Sequence, residues 1–201
     1  MLPSKPNDLN PSEVIRQFIN RFVRISDEEM EKIIPYLQVR HFNKRAIVVN
    51  SGEIDRYFNY VHTGLVRKFI VHNNKDINLY FAVEGDIINA TRSFLTQEPS
   101  EEILETLEPT TLISILAEDL DMLYDRFPAF ERISRLVMAD QLVRKEEWEI
   151  ALLRETVRER FVNFVQKNPE LLLRVPQKML ASYLNIEPET FSRLKHLLMK
   201  R

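Results

Sequence analysis

Glu189, Ser192, Arg193, His196 and Lys200 recur at i, i+3, i+4, i+7 and i+11, a spacing that puts them on one face of a helix. Phe191, Leu194 and Leu198 make the opposite, apolar stripe. A guanidinium can donate two hydrogen bonds to guanine O6 and N7, and a carboxylate can accept from cytosine N4. Such a face is equipped to read base edges. Gln177 at the start of the preceding helix, with Lys195 and Lys200, is suited to phosphate contacts.

Two short helices position this face. The first spans about Gln177 to Leu184, with Leu180 and Leu184 on one side and Ala181 small enough for a close helix crossing. "NIE" forms the turn, and Pro188 suits the first position of the second helix. This is a helix-turn-helix pattern, whose second helix enters the major groove. The net charge of the 201 residues is −2, yet Val175–Arg201 holds five bases against two acids. A locally basic end on an acidic chain fits a polyanion-binding module.

The remaining composition narrows the alternatives. Apolar residues are 44% and charged residues 29%, ordinary values for a globular chain. Without cysteine there is no disulfide, thiolate zinc site, cysteine nucleophile or cysteine-ligated iron–sulfur cluster. His41, His62, His72 and His196 are scattered, so no metal site is expected. GxSxG, GxxxxGK[ST] and GxGxxG do not occur, and an enzyme is not expected. The start of the chain lacks the apolar core of a signal peptide, and no apolar run is long enough for a membrane span. A cytoplasmic protein without membrane contact is the expectation.

Upstream, residues 11–38 read as helical, with Ser26 capping an acidic first turn. From about Val39 to Ile115, short β-branched and aromatic runs ("AIVV", "YFNYV", "LVRKFIV", "INLYFAV") alternate with turn signals that include Gly52, Gly64 and Gly85. "HNNKD" suits a hairpin turn. A small barrel or sandwich is implied. "TTLISIL" adds a strand, and "AEDLDMLYDRFP" is a short helix stopped by Pro128. A long helix, about Ala129 to Leu153, carries Phe130, Ile133, Leu136, Val137, Val143, Trp148 and Ala151, interrupted by Asp140 and Arg144. That seam suits a two-chain helix pair. "TVRE" at Thr156 forms a capping box opening a further helix, and "NPELLLRVP" reads as a connector.

"VPQKMLASYLNIEPETFSRLK" resembles the DNA-binding motif of the Crp/Fnr family, and the order of elements follows that family along nearly the whole chain. The resemblance implies an α+β fold: a cyclic-nucleotide-binding-type β-roll sensor over 1–128, a dimerisation helix over 129–154 and a helix-turn-helix (winged-helix-like) domain over 155–201. It makes Glu189 and Arg193 base readers, with Thr190 and Ser192 as backbone-contacting neighbours. The implied function is a homodimeric, sequence-specific transcription regulator that binds a two-fold symmetric site on double-stranded DNA, with RNA polymerase as a further partner. The alternative is a cyclic-nucleotide-binding-domain protein that acts through protein partners and retains a vestigial DNA-binding domain.

The sequence departs from the family in places that matter. Its cyclic-nucleotide-binding members carry a Gly-Glu pair and an arginine that neutralises the cyclic phosphate. Here the Gly-Glu step is missing, and Ser100, Glu101 and Glu102 stand about where the arginine would be. Carboxylates beside a phosphate are electrostatically wrong, so cyclic AMP bound in the usual way is not expected. Asn89, Thr91, Arg92, Ser93, Glu101 and Lys145 are the candidate lining for another, unidentified effector; no cofactor is implied. Glu187 takes a cap position usually held by Ser or Thr. The sequence ends at Arg201, directly after the recognition helix, leaving no wing and predicting a shallower salt dependence of DNA binding.

Overall fold

Two capping boxes fix where helices begin. In a computed structural model, which describes residues 10–199, the Ser26 hydroxyl accepts from the Glu29 N–H and the Glu29 carboxylate accepts from the Ser26 N–H. Thr156 and Glu159 make the same reciprocal pair. Each satisfies N–H groups that a helix start leaves without intrahelical partners. The helical region before the strands is α1 (Pro11–Ile19), α2 (Asp27–Ile33) and a 3-10 turn (Ile34–Tyr36).

The strands are β1 (Gln38–Phe42), β2 (Ile47–Val49), β3 (Tyr57–Thr63), β4 (Val66–His72), β5 (Lys75–Ala82), β6 (Ile103–Thr106) and β7 (Thr110–Leu116), with α3 (Thr91–Thr96) between β5 and β6. They form a three-stranded sheet in the order β1-β7-β3 and a four-stranded one in the order β2-β6-β4-β5. β7 is the centre of the first, antiparallel to both neighbours, with Gln38 opposite Ser114 and Phe58 opposite Ile115. Asn73 and Asn74 both have positive φ, 49° and 58°, which is what a tight turn between β4 and β5 requires. Gly64, at φ 99°, turns the chain where a Cβ would come within 2.7 Å of Pro109 O and Thr110 Cα. No other residue fits there.

The remaining helices are α4 (Ala117–Arg126), α5 (Pro128–Arg154), α6 (Val157–Lys167), α7 (Leu171–Arg174), α8 (Gln177–Tyr183) and α9 (Pro188–Met199). Two details correct the sequence reading. Pro128 opens α5 rather than merely stopping α4, since its missing N–H is no loss at a first helical position. The stretch taken as a connector contains α7.

The chain divides into two units. The first runs through Val66 and includes Ala82–Met138; the second joins Arg67–Phe81 to the residues from Ala139 onward. In the first unit, Phe18, Met30, Ile113, Leu123, Phe130 and Val137 belong to one buried cluster. Phe130, Ile133 and Val137, assigned from sequence to a two-chain seam, are thus core residues of their own unit. Packing inside one chain and between two looks alike in a linear pattern. Trp148 also leaves that seam: it stacks on Tyr183, ring centroids 4.5 Å apart and planes within 1°.

Candidate nucleic-acid interface

In the second unit, helix α9 is held by its apolar face. Phe191 is fully buried and meets Phe161 of α6 edge to face, centroids 5.0 Å apart. Leu180 and Ala181 of α8 and Leu184 at its C-cap are also without exposure, as expected where a small residue at 181 permits a close crossing. Between the helices, Asn185 takes a left-handed conformation at φ 53°, and the Ile186 N–H reaches back to Ala181 O at 3.0 Å. This bond satisfies a carbonyl that the end of α8 would otherwise leave unpaired.

The other side of α9 is open. Pro188, Glu189, Ser192, Arg193, His196 and Leu197 line one continuous surface depression, bringing together four of the side chains assigned to DNA from sequence. Glu189, Ser192, Arg193 and His196 are all exposed; Thr190 and Lys195 are half-buried flanks of that face, and Gln177 is exposed at the first position of α8. Lys200 lies outside the described residues.

Three features that hold this face in place were not singled out in the sequence. Arg160, 6% exposed, donates to Leu184 O (2.9 Å), Leu152 O (3.2 Å) and Glu155 O (3.3 Å), tying the ends of α8 and α5 to α6. Its signal was available: Val157, Arg160, Phe161 and Phe164 follow i, i+3, i+4, i+7, so the arginine occupies an apolar-stripe position. The Tyr183 ring is enclosed by Trp148, Phe81 and Phe164, and this burial raises its phenol pKa. The Ser182 hydroxyl accepts from the Asn78 N–H (3.0 Å) and donates to Asp76 O (3.1 Å). The first helix of the pair is thereby clamped to the β4–β5 hairpin. No local signal announces a contact between residues 104 apart.

Of the residues assigned to an effector pocket, Asn89, Arg92, Ser93 and Lys145 have other partners. Asn89 and Ser93 surround Asp55, which is 1% exposed. Asp55 accepts from the Ala90 N–H at 2.8 Å, the Tyr57 N–H at 3.3 Å and Asn89 Nδ2 at 3.4 Å, while its own N–H donates to Ser93 Oγ at 3.0 Å. Arg92 is exposed and paired with Glu98 at 2.6 Å. Thr91 and Glu101 are exposed. Lys145 lies in the second unit, 3.6 Å from Glu149 one turn along α5. Among the described residues, no three His, Asp or Glu side chains are grouped to hold a metal ion.

Burial raises the Asp55 carboxyl to about pKa 6, against the opposing effect of its hydrogen bonds to Ala90, Tyr57 and Asn89 and of Arg40. The folded chain keeps this proton to about pH 6, whereas the unfolded chain releases it near pH 4. Folding therefore takes up a proton in that window, and the group's contribution to stability falls as pH rises through it, by roughly 3 kcal/mol. Denaturant titrations at pH 4.5 and 6.5 should show this slope in the wild type and its loss in Asp55→Asn. An unchanged slope in Asp55→Asn would assign the pH dependence elsewhere.

Comparisons with known proteins agree with this architecture. Residues 39–127 match the cyclic nucleotide-binding domain family. Among solved structures, FixK2 from Bradyrhizobium japonicum superposes with a TM-score of 0.71 at 21% identity, covering 82% of this chain and 85% of FixK2. CLP, a c-di-GMP-responsive global regulator from Xanthomonas campestris, gives 0.68 at 19% identity, covering 87% and 92%. A crp/fnr-family protein from Eubacterium rectale gives 0.65 at 16%, covering 87% and 84%. Comparison with curated proteins finds no sequence match. Among the described residues no helix is long and apolar enough to cross a membrane. Residues 39–127 thus match the cyclic nucleotide-binding domain family, and the chain as a whole has the fold of the Crp/Fnr-type transcription regulators.

Proposed function

We propose that the chain is a sequence-specific DNA-binding transcription regulator that acts as a homodimer in the cytoplasm. The observation that carries this reading is the open face of α9, where Glu189, Ser192, Arg193 and His196 share one depression while Phe191 anchors the helix from behind. Arg193 and Glu189 are the base readers, Ser192, Thr190 and His196 flank them, and Gln177, Lys195 and Lys200 contact phosphate. RNA polymerase is the further partner such a regulator meets on DNA.

Helix α5 supports the dimer. With Phe130, Ile133, Val137 and Trp148 engaged within the chain, Leu136, Ala139, Val143, Glu146, Ile150 and Leu153 form a further stripe along α5, with the exposed Leu142 beside it. Their spacing alternates three and four, the repeat of a two-stranded coiled coil. Val143, Ile150 and Leu153 are 54%, 53% and 89% exposed, large values for aliphatic side chains that nothing among the described residues covers. In a parallel, in-register pair Arg135 would face Asp140 of the partner subunit, and Glu149 would face Arg154 of the partner subunit. Both flanking pairs are attractive, which favours a second copy as the occupant, while Glu146 is a polar interruption of the seam that meets its own equivalent at a cost in stability.

The β-roll does not take cyclic AMP in the usual way. From Gly85 to Glu108 the one cation is Arg92, and Glu98 holds it. Any signal acts by shifting the population of dimers whose paired helices match successive major grooves. The test of this reading is Ile150→Glu. Sedimentation should show a monomer where the wild type is a dimer, and fluorescence anisotropy should show operator binding lost with it. A monomeric wild type that still binds a symmetric site would overturn the dimer, and a dimer indifferent to DNA would overturn the regulator.

A further inference from the structure

The core of the first unit is not completely filled. A cavity of about 60 Å³ lies among residues of α1, α2, β3, β7, α4 and α5, and of its fifteen lining residues Tyr60, Tyr124 and Ser134 alone carry polar side-chain atoms. Seven of the fifteen are isoleucines. Branched at Cβ, these have few rotamers, so the walls cannot readily collapse inward. A void with such walls forfeits dispersion contacts that a guest of the right size would restore.

Water is a poor occupant. It needs two to four polar partners, and of the fifteen lining residues only Tyr60, Tyr124 and Ser134 carry a hydroxyl, the last two already bonded to each other. The Tyr124 hydroxyl donates to Ser134 Oγ at 2.7 Å. No acceptor for the Ser134 hydroxyl hydrogen stands among the described residues. The cavity therefore presents an apolar body with hydroxyls at its edge, the Tyr124–Ser134 pair and Tyr60, of which Ser134 lies on α5 with its hydrogen left to donate.

We infer that this cavity is a binding site for a small uncharged molecule of a few heavy atoms, apolar over most of its surface with one hydrogen-bond acceptor. A guest there touches Phe130, Ile133, Ser134 and Val137, which lie along one side of α5 over about two turns. The site is built wholly from the first unit and is independent of the residues assigned to DNA.

Xenon and ethanol serve as probes of the full-length protein, read by xenon NMR and by the Ile133 methyl resonance. The wild type should bind both. Val137→Phe, which fills the space, should lose both, and Val137→Ala, which enlarges it, should raise xenon occupancy; the melting transition of each variant establishes that it is folded. Ser134→Ala should weaken ethanol while leaving xenon. Xenon bound by Val137→Ala but not by the wild type would show the native space too small, and xenon binding equal in all variants would place the guest elsewhere. Either result overturns the inference, as would ethanol binding indifferent to Ser134→Ala.

Discussion

Arg193→Ala should weaken binding to the preferred operator by roughly 1–3 kcal/mol per half-site, about 5- to 150-fold for each, while unrelated DNA is bound almost as before. The guanidinium is exposed on the open face of α9 and has a planar fork that matches the two acceptors of a guanine edge. Arg193→Lys sharpens the expectation. It keeps the charge and loses the fork, so affinity for random duplex should stay near the wild-type value while discrimination falls toward that of Arg193→Ala. Lys195→Ala should behave differently, lowering affinity by a similar factor on every sequence and reducing the salt slope. Anisotropy titrations on matched and single-mismatch duplexes at two salt concentrations separate these cases. Equal discrimination by wild type and Arg193→Ala would remove Arg193 from base reading.

Arg160→Met should cost the second unit about 2–4 kcal/mol, because it leaves carbonyls of Leu184, Leu152 and Glu155 without their donor. For a unit of this size that lowers the melting midpoint by about 10 °C or more. Trp148 is the single tryptophan and stacks on Tyr183 beside α8, so its fluorescence reports this transition. Arg160→Lys retains a charge but not three donors in one plane, and should fall between the two. A midpoint unmoved in Arg160→Met would mean that α6, α8 and the end of α5 are held by their apolar contacts alone.

Much of this architecture was legible because its causes are local. Ser26 with Glu29 and Thr156 with Glu159 are capping boxes written within four residues. Asn73-Asn74 turns β4 into β5 by a conformational tolerance of asparagine itself, and the polar stripe of α9 follows from helical period. What was not legible depends on contacts distant in sequence. Phe130, Ile133 and Val137 have the look of a coiled-coil seam until the sheet and α1 supply a nearer apolar surface. Ser182 and Tyr183 look like ordinary residues of a short helix, and only the fold brings Asn78 and Phe81 to them. Asn89 and Ser93 sit where an effector contact was expected, yet they complete the shell of a buried carboxylate at Asp55. Arg160 lies between these cases, since its place in an apolar stripe was visible and its three carbonyl acceptors were not.

The central claim is that the exposed face of α9 reads DNA in a dimer without cyclic AMP. Selection from a random duplex pool, with wild type and Arg193→Ala, with and without cyclic AMP at one moderate salt concentration, tests it most directly. Enrichment of a two-fold symmetric sequence by the wild type alone, nucleotide or not, is the predicted result. Enrichment only in the presence of cyclic AMP, or the same sequence enriched by Arg193→Ala, would contradict the account.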